Sequence, residues 1–229
     1  GVFCLKKDRF QDVVWIGTDG QGVYLYSNPL YSIKSMVLSN YTEKIERPVR
    51  AIYLDDERTF WVGTKGNGIL KIYDYEFDKN ISDCRAEVLT TSNSALSSNA
   101  VYCFAKSHRN LLWIGDEEGL TYYSYREKRI KSIPIRIGNE DFKYIHDIYE
   151  TADSELWLAS VGMGVVKARI AGTPDNPVIV DAQRYIINDG ELGSNYFFTI
   201  YAENEANLLF GNKGYGVFRY NETTTGLEP

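Results

Sequence analysis

The hydrophobic pattern of this chain is written five times. An apolar triplet meets a small residue, a turn rich in Gly follows, and a second apolar run closes the unit. The copies are DVVWIGTDGQGVYLYS from Asp12, RTFWVGTKGNGILKIYD from Arg58, NLLWIGDEEGLTYYS from Asn110, SELWLASVGMGVVKAR from Ser154 and NLLFGNKGYGVFRYN from Asn207. Each predicts a β-hairpin, because short apolar runs bounded by Gly turns read as strands. Trp15, Trp61, Trp113 and Trp157 anchor the first four copies and Leu209 takes that place in the fifth, at spacings of 46, 52, 44 and 52 residues. A further strand is predicted upstream of each hairpin: VFCLK from Val2, VRAIYL from Val49, VYCFAK from Val101, IHDIYE from Ile145 and FFTIYA from Phe197. Outer strands are predicted downstream of the first four, in SIKSMVL, CRAEVLT, IKSIPIR and AQRYII. The unit is thus four strands, a to d, at a period of about 40 to 50 residues, and helical periodicity is absent.

Strands a and b lack strict polar alternation, as expected of strands covered on both faces. The pairs Gly20/Gly22, Gly66/Gly68, Gly162/Gly164 and Gly214/Gly216 suit a tight b–c turn that needs positive φ. The third copy differs, with Asp116, Glu117 and Glu118 ahead of a single Gly119. These residues predict blades at 1–46, 47–95, 96–140, 141–191 and 192–229. The last is expected to lack its outer strand, with the tail NETTTGLEP frayed. The longest internal loop is expected in YDYEFDKNISDCRAE, a polar link at Asn40 to Glu46, and a surface excursion at AGTPDNPVIV from Ala171, marked by Pro174 and Pro177.

The W-I-G-T motif followed by G-x-G and an apolar residue, with strand openings such as LSSNAV from Leu96 and LGSNYFF from Leu192, resembles the two-component regulator propeller repeat. The resemblance covers essentially the whole chain. It is closest in copies one and two, weaker in three and four, and copy five lacks its Trp. It implies an all-β β-propeller of four-stranded blades, as in the periplasmic sensor region of Bacteroidetes hybrid two-component histidine kinases. It further implies a segment of a larger, seven-bladed propeller, with remaining blades and a C-terminal all-β domain as partners in the same sensor. A homodimeric full sensor, anchored in the inner membrane and ending in a histidine kinase, is the context so implied. Alternatively, five blades close into a small propeller, since propellers of roughly four to eight blades occur.

Charge and composition narrow the functions. A net charge of −6 and a pI near 5.1 argue against nucleic acid, which needs a basic stripe. The basic stretch from Tyr125 to Arg136 is read as a charged outer strand protecting a sheet edge. Cys4 and Cys103 share one strand-a position with Ala51, Asp147 and Thr199, which points to packing; Cys84 falls on a loop. His108 and His146 are too few and too separated for a metal site, so no metal or cofactor is expected. No run of 18 or more apolar residues occurs and no signal peptide is read at Gly1, so export is implied by the family resemblance alone.

Catalysis finds little support. His146 and Asp147 are adjacent on a strand and point to opposite faces. Asp116, Glu117 and Glu118 crowd one turn and are read as solvated. A hydrolase or lyase therefore stands as a minor alternative, fold alone not excluding it.

Binding is the stronger reading, because b–c turns and d–a connections of repeated blades converge on one end. Variable side chains there are Asp19, Gln21, Lys65, Asn67, Asp116, Glu117, Met163, Lys213 and Tyr215 on the turns. Arg47, Arg50, Asn99, Tyr144, His146, Asn195 and Tyr196 come from the d–a side. Of these, Lys65, Asn67, Arg50, Tyr144, His146, Tyr196, Lys213 and Tyr215 form the candidate ligand-binding set. Aromatic faces suit sugar C–H surfaces, while Arg, Lys and Asn suit hydroxyls and acids; the competing reading is that the tyrosines pack strand edges. The resemblance implies an oligosaccharide from glycan breakdown as ligand, sensed to control polysaccharide-use genes. A protein-interaction scaffold without small ligand is the alternative.

Overall fold

A computed structural model describes residues 1–20, 22–27, 32–36, 45–76, 83–188, 193–221 and 223–229, with only the backbone at 32–36. Gln21, most of the expected link at Asn40 to Glu46 and the middle of the expected loop after Tyr75 fall outside the described residues. The chain forms two compact units, Gly1–Cys103 and Phe104–Pro229. Among the described residues there is no α-helix, and no helix long and apolar enough to cross a membrane.

The first unit holds two antiparallel four-stranded blades. Blade one is β1 (Val2–Lys7), β2 (Val13–Thr18), β3 (Val23–Ser27) and β4 (Ser32–Met36). Blade two is β5 (Val49–Leu54), β6 (Phe60–Thr64), β7 (Ile69–Ile72) and β8 (Ala86–Leu89). Three blades follow. Blade three is β9 (Val101–Lys106), β10 (Leu111–Asp116), β11 (Leu120–Ser124) and β12 (Arg129–Ile133), succeeded by a small ribbon of β13 (Arg136–Ile137) and β14 (Glu140–Asp141). Blade four is β15 (Ile145–Glu150), β16 (Glu155–Ser160), β17 (Gly164–Thr173) and β18 (Asn176–Tyr185). Blade five is β19 (Phe197–Asn204), β20 (Asn207–Asn212), β21 (Gly216–Asn221) and β22 (Gly226–Glu228).

Two expectations are corrected. Blade five has an outer strand: β22 pairs with β21 from Arg219↔Glu228 to Asn221↔Gly226. The polar tail closes this hairpin itself, since Asn221 Oδ1 accepts the amides of Thr223 (2.9 Å) and Thr224 (3.4 Å) while Asn221 Nδ2 donates to Glu228 (2.9 Å). The insertion from Ala171 is no loose excursion either. It lengthens β17 and β18 to ten residues each, paired out to Thr173↔Asn176. Its tip bends over blade three, where Tyr122 Oη donates to the Asp175 carbonyl (3.2 Å), Arg126 pairs with Asp175 (2.5 Å) and Lys131 donates to Asn176 Oδ1 (2.7 Å).

The four Trp side chains are buried, and Trp15, Trp113 and Trp157 reach a neighbouring blade. Trp15 lies against Phe60 and Tyr75 of blade two, at 4.5 and 5.0 Å between ring centroids; Trp157 lies against Phe210 and Tyr220 of blade five, at 5.6 and 4.7 Å. A buried indole N–H needs an acceptor. At the a–b turns the chain supplies one. Asp8 takes Trp15 Nε1 (2.9 Å) with the amides of Phe10 and Gln11, and Asp55 takes Trp61 Nε1 (2.8 Å) with the amides of Glu57 and Thr59. In blade three that position is Ser107, and Trp113 Nε1 donates instead to Glu150 Oε2 of blade four (2.7 Å).

The small residue after the Trp motif has a steric cause. Strand-a residues Cys4 and Thr199 lie across Gly17 and Gly211, where an added Cβ would meet Cys4 Sγ at 2.4 Å and Thr199 Cγ2 at 2.6 Å. Burial pushes the Cys4 thiol up to about 11, against the smaller opposing pull of its hydrogen bonds with the Gly17 and Ile52 backbone. In blade four Ala159 is tolerated opposite Asp147, whose carboxylate Oδ2 leaves the sheet and accepts Ile200 N (2.7 Å) and Thr199 Oγ1 (3.1 Å) on blade five.

Candidate functional site

The d–a connections and b–c turns meet at one end of neighbouring blades, joined by backbone hydrogen bonds. In the first unit, the amides of Gly66 and Gly68 both donate to the Asn99 carbonyl, each at 2.9 Å. The second unit repeats this with Gly162 and Gly164 on the Asn195 carbonyl, at 2.8 and 3.1 Å. The side chains of both Asn residues also turn inward. Asn99 Oδ1 accepts Thr91 N (2.9 Å), and Asn195 exchanges hydrogen bonds with Ile187 N (2.7 Å) and O (3.0 Å). Asn99 and Asn195, placed among the variable ligand-facing positions from sequence, are therefore staples of the turn. Positive φ at Gly66, Gly68, Gly162 and Gly164 lets those amides converge on one oxygen.

A second device aims side chains at this end. Strand a shifts register against strand b between Val2 and Cys4, Val49 and Ala51, Ile145 and Asp147, and Phe197 and Thr199. Each shift is a β-bulge, which re-aims its extra residue: Phe3, Arg50, His146 or Phe198. Neighbouring bulge residues meet. The Arg50 guanidinium sits 3.8 Å from the Phe3 ring centroid, and the His146 and Phe198 rings meet edge to face at 5.3 Å.

The eight candidate residues separate by unit. In the first unit, Arg50 is held on Phe3 and its buried Nε has no hydrogen-bond partner. Lys65 is exposed on the blade-two turn, its amide bonded to Pro48 O (2.9 Å). Asn67 Oδ1 is already engaged, accepting the amides of Glu46 (3.2 Å) and Arg47 (3.0 Å). Its carbonyl is thus spent on the loop rather than offered outward.

The second unit gathers the other five. Val161 bridges Tyr196 and donates to the Tyr144 carbonyl (3.1 Å), so blade four's turn carries both tyrosines beside it. Lys213 N donates to the Tyr196 carbonyl (3.0 Å), and Lys213 Nζ stands 5.2 Å from the Tyr196 ring centroid. Tyr215 shares that blade-five turn. Tyr144, Tyr196, Phe198 and Tyr215 are between 41% and 46% exposed, an unusual share of aromatic surface for one end of two blades. Tyr144 has φ 55°, a strained conformation for a bulky residue and one that concentrates at binding sites.

Sequence reasoning missed Phe198. Phe197 is buried and Phe198 is 43% exposed, and the register shift between Phe197 and Thr199 that makes Phe198 the extra residue of the bulge is not visible in the sequence. The acidic turn was also misread. Asp116 is buried, not solvated: its Oδ1 accepts the amides of Glu118 (2.9 Å) and Gly119 (3.0 Å), closing a turn that has a single Gly. Glu118 pairs with Lys143 at 2.5 Å. In the basic stretch, Arg129 and Lys131 pair with Glu127, and Arg136 with Asp141. Among the described residues no three His, Cys, Asp or Glu side chains gather as a metal site would require.

Comparison with solved structures decides the architecture. The β-propeller domain of Cps50 (Swd1) from Myceliophthora thermophila matches all of this chain and 72% of its own at a TM-score of 0.65 and 11% identity. The fold is a β-propeller. PorZ, a surface component of the type-IX secretion system of Porphyromonas gingivalis, matches 95% of this chain and 31% of its own, at 0.68 and 14% identity. The extracellular domain of a putative one-component system from B. thetaiotaomicron matches 99% and 42%, at 0.64 and 15% identity. This propeller chain thus spans less than half the length of either bacterial neighbour. No family model matches it. Among curated proteins, translation initiation factor 6 of Saccharolobus solfataricus is 31% identical over 140 residues. That match covers 56% of this chain and 57% of the factor, so the chain spans little more than half of that relative.

Proposed function

We propose that this propeller is the extracytoplasmic ligand-sensing segment of a hybrid two-component sensor, periplasmic in location, and that it recognises an oligosaccharide from glycan breakdown. In this reading the segment itself is not catalytic, and the kinase belongs to the rest of the sensor. Supporting it are its repeat resemblance and its similarity in fold to the extracellular domain from B. thetaiotaomicron. The observation that carries the reading is the aromatic group at the blade-four and blade-five end. Tyr144, Tyr196, Phe198 and Tyr215 offer apolar faces for sugar C–H surfaces, and Lys213 offers a cation for hydroxyls or an acid group. The group is preorganised by backbone bonds and a bulge, which reduces the ordering cost of binding.

A thermal-shift panel of host, plant and microbial oligosaccharides tests this. A ligand at a hundredfold its Kd adds about 2.7 kcal/mol of stability. One glycan class is expected to raise the melting temperature selectively, and Tyr196→Ala or Lys213→Ala to abolish the shift. A uniform absence of shifts, or shifts indifferent to both substitutions, refutes the assignment.

A further inference from the structure

Three cations of the first unit gather at one end of blade two, and no acid answers them. Elsewhere in that unit Lys7 is paired with Asp12, Arg9 with Asp56, Arg58 with Glu76 and Lys71 with Glu87. Arg47, Arg50 and Lys65 have no carboxylate partner among the described residues, in a chain whose net charge is −6. Even Glu46, next to Arg47 in the chain, pairs with none of them.

The backbone brings the three together. Arg50 is the extra residue of the bulge in β5, and the Lys65 amide, bonded to Pro48 O at 2.9 Å, ties the b–c turn to the residues just ahead of that strand. The Arg47 amide is held from the same turn by Asn67 Oδ1 (3.0 Å). A Cβ placed on Gly66 would lie 3.6 Å from Arg47 Cγ and 4.0 Å from its Nε, so the Arg47 side chain runs along the turn that carries Lys65.

Arg50 is the preset member. Its guanidinium is held over the Phe3 ring, 3.8 Å from the centroid, and its Nε is buried with no hydrogen-bond partner. Its terminal nitrogens are neither bonded within the protein nor buried, so they are open to a ligand. A rigid fork of N–H donors matches two oxygens of one carboxylate or sulfate group.

We infer that this end of blade two is an oxyanion subsite, in which the Arg50 fork takes two oxygens of a ligand's carboxylate or sulfate while Arg47 and Lys65 supply the surrounding positive charge. The subsite asks only for the acid group, so it goes beyond the oligosaccharide reading and does not depend on the aromatic group of blades four and five. Where the ligand is a glycan, an acidic sugar is the unit bound here.

NMR titration of the 15N-labelled 229-residue chain tests the inference, with glucuronate, glucose 6-sulfate, propionate and glucose as probes and ionic strength held by sodium chloride. The acidic probes are expected to move the Arg50 Nε–H signal and the amides of Arg47, Lys65 and Gly66 saturably, and glucose to leave them in place. Propionate binding as well as glucuronate means that the carboxylate alone is read; tighter glucuronate means that the sugar is read with it, and both uphold the subsite. Arg50→Lys, which keeps the charge and loses the fork, is expected to weaken binding by about tenfold. Lys65→Ala, on an exposed turn position that the fold does not need, is expected to weaken it by roughly threefold. Signals that stay still with every acidic probe, that move equally with glucose or added sodium chloride, or that respond unchanged in Arg50→Lys each overturn the inference. A neutral glycan found by the thermal-shift panel leaves the oligosaccharide reading standing in that event, whereas acid binding at Arg50 with no glycan found does the reverse.

Discussion

Replacing Asp55 with Ala is expected to be among the most damaging single changes in the first unit. Its carboxylate is buried and accepts three donors: Glu57 N at 2.9 Å, Thr59 N at 2.7 Å and Trp61 Nε1 at 2.8 Å. Leaving a buried donor unpaired costs about 1–3 kcal/mol. The Glu57 amide lies in a partly buried turn that water can reach, so the Thr59 amide and the indole dominate, and together they bring the loss to about 4 kcal/mol. That is a large share of the about 5–15 kcal/mol that holds a domain folded. Asp55→Asn separates the two contributions. It keeps Oδ1 for both amides but sets an NH2 group against the indole N–H, for a loss of about 1–3 kcal/mol. Urea denaturation followed by Trp fluorescence measures both, and a double-mutant cycle with Trp61→Phe isolates the indole bond. An Ala variant within about 1 kcal/mol of the parent, or a cycle with no coupling, would refute the claim that this acid organises the a–b turn.

Three further outcomes follow from the same packing. Gly17→Ala is expected to lose about 1–3 kcal/mol by driving a methyl group into Cys4 Sγ, with much of the loss recovered when Cys4→Ala is added; equal losses in single and double variants would contradict this. The Cys4 thiol, at about 11 in the folded chain against 9.0 ordinarily, leaves stability intact below pH 9. Between pH 9 and 11 the unfolded thiol ionises while the folded one does not, so a loss on the order of 2–3 kcal/mol builds up; Cys4→Ala is expected to flatten that part of the stability profile, measured by denaturation at each pH. Asp147→Ala is expected to release the Ile200 amide to faster hydrogen exchange, by severing its bond from blade four to blade five, while exchange within β16 and β17 stays slow.

How legible each part was in the sequence follows from what carries its signal. The hairpins were legible because apolar runs and Gly pairs are local, and the strand-b and strand-c ranges fall where the repeats place them. The outer strand of blade five was not legible: a three-residue strand of Gly226, Leu227 and Glu228 has no hydrophobic pattern, and Asn221's turn bonds rather than burial bring it to the sheet. The acid ahead of Trp15 and Trp61 was visible as Asp8 and Asp55. Its role was not, since the spacing differs by one residue and blades three and four replace it with Ser107 and Thr151. At the candidate site, Tyr144, His146, Tyr196, Lys213 and Tyr215 were legible from their places around the turns. Asn99 and Asn195 stood in equivalent places, yet hydrogen bonding turns them inward, a distinction that composition does not carry.

The measurement that bears most directly on the proposed function is a calorimetric titration of the glycan selected by the thermal-shift panel. It compares the parent chain with Tyr196→Ala, whose ring is 43% exposed and so contributes little to the core. The account predicts saturable binding by the parent and at least a tenfold loss of affinity in the variant, about 1.4 kcal/mol, with an unchanged melting temperature in the absence of ligand. Equal affinity in the two proteins would contradict it.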